Sequence, residues 1–161
     1  MEWHNRGFTD AQLWLNLLAF VPMPLLLLGI YSIQVPKPGT AGLLGALLYG
    51  AAFAYFTYTT LYALAKRIPT YAELWTRLGH VYTFFGGLMV CGGLLFAWSA
   101  LRVAWLPRFA VLLFLSGIVL NLILAILPAP DTFQTIGSAM RNVGLMAMGY
   151  AILFGKTSEV A

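Results

Sequence analysis

Residues 41–65 read AGLLGALLYGAAFAYFTYTTLYALA, a run without a single charged side chain. As an α-helix at 1.5 Å per residue this run is about 37 Å long, enough to cross a hydrocarbon core of about 30 Å with some tilt. Working outward, four more apolar stretches of comparable length flank it, at 12–33, 72–100, 107–127 and 133–155. Backbone polar groups in lipid must be satisfied within the segment, which leaves the α-helix as the form for isolated apolar runs. The sequence therefore predicts an all-α integral membrane protein, an antiparallel bundle of five transmembrane helices forming one polytopic domain over residues 1–161. The connections are short, which makes neighbouring helices antiparallel.

Composition agrees. The chain has 161 residues, 61% hydrophobic and 9% charged, and its mean hydropathy is +0.84. A soluble domain carries about 25% charged residues. The net charge of +4 is spread over the loops, which suits contact with lipid headgroups better than a nucleic-acid surface. The first apolar run has no Lys/Arg-rich start and no small-residue cleavage motif, so it reads as a span rather than a signal peptide. Cys91 is the single cysteine, which excludes an internal disulfide and a cysteine-based metal cluster; it is expected to be a small packing residue.

Helix boundaries are marked by local chemistry. Thr9 with Gln12, Thr70 with Glu73 and Asp131 with Gln134 have capping-box spacing. Pro107 suits the start of the fourth span and Pro128 its end, and Pro36, Pro38 and Gly39 make a turn between the first two spans. Pro22 and Pro24 interrupt the first span near its centre, so a kink is expected there, static or hinged. Gly42, Ala46, Gly50 and Ala54 form a small-residue ladder that Ala147, Ala151 and Gly155 repeat in the fifth span. Such ladders let helices approach closely, inside one bundle, in a homodimer or against a larger membrane complex. Trp3, Trp14, Trp75, Trp98 and Trp105 fall near span ends, as interfacial anchors do.

When the spans are threaded in order, the polar side chains inside them gather in the half on the N-terminal side, here side X, opposite side Y. Asn16, Tyr55, Thr59, Tyr62, Arg77, His80, Asn121, Arg141 and Asn142 are the candidate ligand-binding residues. Polar groups in hydrocarbon are costly and usually face the bundle interior or water. Glu73, Arg77 and His80 are spaced i, i+4 and i, i+7, which places all three on one face of a continuous helix. Arg141 lies about three turns inside the fifth span, where an arginine costs about 2.5–3.5 kcal/mol, so it needs a partner such as Glu73, tyrosine hydroxyls, exposed carbonyls or an anionic ligand.

Three functional readings follow. The first is binding or carriage of a small amphipathic, lipid-like ligand in the X half, its anionic end on Arg141 and Arg77, with membrane lipids as neighbours. The second is a structural or accessory subunit of a larger membrane complex. The third is a membrane enzyme on a lipidic substrate, with His80 as base oriented by Glu73. No catalytic residue stands out. No metal site is expected, because the second histidine, His4, is remote in sequence; no cofactor is expected either, with a single-ligand haem at His80 the one form left open. Cations number five on X (Arg6, Lys66, Arg67, Arg77, Arg141) and four on Y (Lys37, Arg102, Arg108, Lys156). Removing Arg77 and Arg141 into the polar cluster tilts the count toward a cytoplasmic Y, hence a bacterial inner or plasma membrane protein with its N-terminus outside.

Overall fold

The computed structural model describes residues 9–126 and 131–154, with side chains for all of these except 71–72, 125–126 and 131–135. Trp3, His4, Arg6, Pro128, the Asp131/Gln134 cap, Gly155 and Lys156 lie outside what is described. Every regular element is helical: α1 (Asp10–Phe20), α2 (Met23–Ile33), α3 (Gly39–Lys66), α4 (Tyr71–Leu78), α5 (His80–Val103), α6 (Arg108–Ile126) and α7 (Asp131–Phe154). Among the described residues, Asp10–Ile33, Gly39–Lys66 and His80–Val103 are long and apolar enough to cross a membrane, and Arg108–Leu124 is apolar but shorter.

Two of the five expected runs are divided. The first breaks at Val21–Pro22, where α1 gives way to α2 and Pro24 occupies the first turn of the new helix. The 72–100 run breaks at Gly79, whose φ of +55° and ψ of −137° suit a residue without Cβ. α4 is thus a separate short helix, and α5 starts at His80. The Thr9 and Thr70 caps form as their spacing implies, accepting from the Gln12 and Glu73 amides at 3.2 and 3.3 Å. At the start of α6, the Pro107 carbonyl accepts from the Ala110 and Val111 amides.

α3 is central, packing on α1, α2 and α5, while α6 and α7 form a second tight pair that joins through α5. Glycine makes both pairs possible. A Cβ on Gly45 would lie 2.5 Å from the Phe96 backbone nitrogen, and one on Gly92 would lie 2.6 Å from that of Tyr49. In the second pair, a Cβ on Gly117 would lie 2.5 Å from the Arg141 nitrogen and the Gly137 carbonyl oxygen, and one on Gly144 would lie 2.5 Å from the Phe114 nitrogen. No side chain fits these contacts, and the close approach supplies the dispersion energy that holds helices together in lipid.

The expected ladder is used inside the bundle for three of its four rungs. Gly42 abuts Pro38 and Ser99, Gly50 abuts Pro24, and Ala46 is fully buried, whereas Ala54 is exposed. The core joins Tyr49 and Phe53 of α3 to Phe96 of α5, Phe114 and Ile118 of α6, Leu27 and Ile30 of α2 and Met148 of α7. Cys91, expected to pack inside, is exposed. Trp14, Trp75, Trp98 and Trp105 are all exposed; Arg102 places its guanidinium 3.7 Å over the Trp98 ring.

Candidate functional site

The nine candidate residues fall in several parts of the fold. They separate into an outer group, an α6–α7 seam and a buried centre, and some are simply absorbed by their own helices. Thr59 is buried, but its hydroxyl donates to the Phe56 carbonyl at 3.0 Å, one turn back. Tyr55 stacks on Phe85 with ring centroids 4.1 Å apart, locking α3 to α5. Asn16 is half-buried on α1, and His80 is exposed at the start of α5.

The outer group is Glu73, Arg77 and Tyr62. Arg77 Nη2 donates to Glu73 Oε1 at 2.5 Å, both residues being exposed or nearly so. The hydrogen bond it donates to the Glu73 carboxylate, and after it the one with the Tyr62 hydroxyl, holds the Arg77 guanidinium above its ordinary pKa. The break at Gly79 ends α4 before His80, so the three residues do not belong to one continuous helix. Glu73 is thus engaged by Arg77 rather than by the imidazole that the enzyme reading required.

On the seam, Asn121 of α6 donates from Nδ2 to Ser138 Oγ of α7 at 3.2 Å. Gly137 leaves the space that the Asn121 amide fills. Its buried Oδ1 has no partner among the described residues. This is interhelical bonding, worth about 0.6–2 kcal/mol in lipid.

Arg141 forms the centre. It is 8% exposed, held inward because Gly117 lets its backbone press against α6. Its guanidinium sits 5.6 Å from the Phe53 ring centroid of α3. Nη1 reaches Met89 Sδ of α5 at 3.6 Å, while Nε and Nη2 reach Asn142 Oδ1 at 3.4 and 3.5 Å. All three contacts are long for charge-assisted hydrogen bonds, which run about 2.7–2.9 Å to oxygen. Glu73, the carboxylate proposed as its partner, is bound to Arg77 instead. Asp10 belongs to the first turn of α1, and no described carboxylate lies within ion-pair distance of Arg141.

Sequence reasoning missed Tyr49. Its ring stacks on Phe53 at 4.8 Å, its hydroxyl is fully buried without a hydrogen-bond partner among the described residues, and it lies within the field of Arg141. A hydroxyl in mid-span was the available signal, but its direction depends on packing. Phe53 and Met89 carry no polar signal and could not have been chosen from sequence. Two further polar residues outside the candidate set, Gln34 and Ser99, are buried near the C-terminal ends of α2 and α5. The Ser99 hydroxyl donates to the Pro38 carbonyl and fastens the first loop to α5.

Among the described residues no three His, Cys, Asp or Glu side chains converge as metal ligands would. No family model, curated protein or solved structure matches this chain.

Proposed function

We propose that this protein binds or carries a small amphipathic anion within the membrane, its charged end held by Arg141. The observation that carries this reading is the shortage of acceptors around a buried guanidinium. Arginine offers five N–H donors; here they have one amide oxygen and one thioether at long range. The Tyr49 hydroxyl adds a further donor without an acceptor. Hydrogen-bond donors in an apolar core call for an acceptor-rich, negatively charged group, and the Phe53 ring and Met89 thioether supply apolar contact for its tail.

This reading takes the chain as five antiparallel spans, α1–α2 forming one of them with a bend at Pro22/Pro24, and α6 and α7 the last two. What supports it is the length of the five apolar runs in the sequence and the break at Val21–Pro22; among the described residues three helical stretches are long and apolar enough to span. The N-terminus is placed outside on the cation count. Arg141 and Tyr49 are the binding residues proposed, with Asn142 positioning the guanidinium. Asn16, Tyr55, Thr59, Tyr62, Arg77, His80 and Asn121 take part in packing, helix bonding or the outer surface.

Dodecyl phosphate compared with dodecanol tests the idea. The phosphate should raise the thermal midpoint of the purified protein, the alcohol should leave it unchanged, and Arg141→Met should abolish the difference. An equal response to phosphate and alcohol, or a full phosphate response in Arg141→Met, would sink it.

A further inference from the structure

A second place in the fold combines shape with unneutralised charge. At the X end, where α1 begins and α3 ends, lies a cleft of about 490 Å³ bordered by Asp10, Leu13, Trp14, Leu64, Arg67 and Ile68. Its floor is apolar: Leu13 and Ile68 are 4% and 3% exposed and belong to a small cluster with Ala63 and Leu74. Its rim is charged. Asp10 lies in the first turn of α1, and Arg67 follows the last residue of α3 with φ of +48°. Both are exposed, and among the described residues neither is in an ion pair, Glu73–Arg77 being the pair that forms. Two opposite charges on the rim of one cleft have therefore not closed on each other.

Position and charge together narrow the occupant. Asp10 and Arg67 mark the ends of helical stretches long enough to cross a membrane, so the cleft opens at the level of lipid headgroups. Trp14, 60% exposed and one turn deeper than Asp10, stands where interfacial indoles are found. An anionic headgroup would satisfy Arg67 but bring its phosphate against Asp10. A zwitterion satisfies both, and a primary ammonium can donate hydrogen bonds to the carboxylate where a quaternary one cannot.

We propose that this cleft seats the headgroup of a zwitterionic phospholipid with a primary ammonium. The phosphate lies on Arg67, the ammonium on Asp10, and the glycerol end of the acyl chains on Trp14 and Leu64. This site is separate from the Arg141 centre and stands without it.

Native mass spectrometry of the full chain decides the matter, with the protein loaded from equal parts phosphatidylethanolamine, phosphatidylcholine and phosphatidylglycerol. Phosphatidylethanolamine should be enriched about two- to fivefold, the range expected of partly exposed charge contacts. Asp10→Asn and Arg67→Asn should each remove the enrichment; asparagine keeps the left-handed backbone accessible at position 67. Unchanged thermal midpoints would show that the folded state is intact in both variants. Preference for phosphatidylglycerol, an enrichment that survives in both variants, or no bound phospholipid because another part of the chain fills the cleft would overturn the proposal.

Discussion

Arg77 and Arg141 have the same side chain and opposite surroundings. Arg77 sits on the short helix α4, meets Glu73 at 2.5 Å and is 44% exposed. Arg141 sits in the bundle among Phe53, Met89 and Asn142, 8% exposed, with no described carboxylate within ion-pair distance. The well-formed ion pair is thus where water already solvates the charge and a pair adds little. The charge for which a partner would matter most has only long contacts. The two arginines therefore differ in how far the protein itself satisfies them: the exposed one is closely paired, and the buried one has only long contacts.

Substituting the inner arginine should give the largest effect. Arg141→Met fills the same space with an apolar chain and removes a buried charge. We expect thermal and denaturant unfolding to show a gain between zero and about 4 kcal/mol, together with complete loss of the dodecyl phosphate response. A large loss of stability would mean that Arg141 has a structural partner, and the contrast with Arg77 would collapse. Next comes the contact that presses Arg141 inward. Gly117→Leu places a side chain where even a Cβ would lie 2.5 Å from backbone, and should cost about 1–3 kcal/mol by forcing α6 from α7.

Tyr49→Phe removes a buried hydroxyl that lacks a partner. Stability should rise by about 1 kcal/mol, while affinity for dodecyl phosphate falls; an unchanged affinity would take Tyr49 out of the site. Arg77→Ala should have the smallest effect, with thermal midpoint and phosphate response both at wild-type values. Because Glu73 raises the Arg77 pKa, the arginine's contribution is fully present below its unfolded value and is lost only as pH rises through the raised folded value. Titration of that guanidinium should therefore leave stability flat between pH 6 and about pH 9. A strong dependence on Arg77 would erase the distinction between the two arginines.

The helical, membrane-length character of the chain was legible because it follows from composition and run length, which are one-dimensional. The Thr9 and Thr70 caps were legible for the same reason, since a cap reaches only three residues along the chain. The break at Gly79 was not anticipated: glycine is common in membrane helices, and nothing in YAELWTRLGH says that this one takes a positive φ. That backbone conformation puts His80 in a different helix from Glu73 and Arg77. The helix contacts were partly legible. Gly42, Ala46 and Gly50 read as a ladder, but the closest approaches use Gly45 with Gly92 and Gly117 with Gly137, pairings between distant segments.

The sequence by itself determined that this chain is built of apolar helices, where most of them start and stop, and that Arg141 would need an explanation. Those properties depend on transfer free energy and on hydrogen bonds between near neighbours. Only the tertiary structure decided that Arg141 turns inward toward Phe53 and Tyr49, that Glu73 is engaged elsewhere, and that Asp10 and Arg67 border one cleft. Side-chain direction and charge proximity depend on how helices rotate and how closely they approach, and glycine pairs far apart in the chain set both.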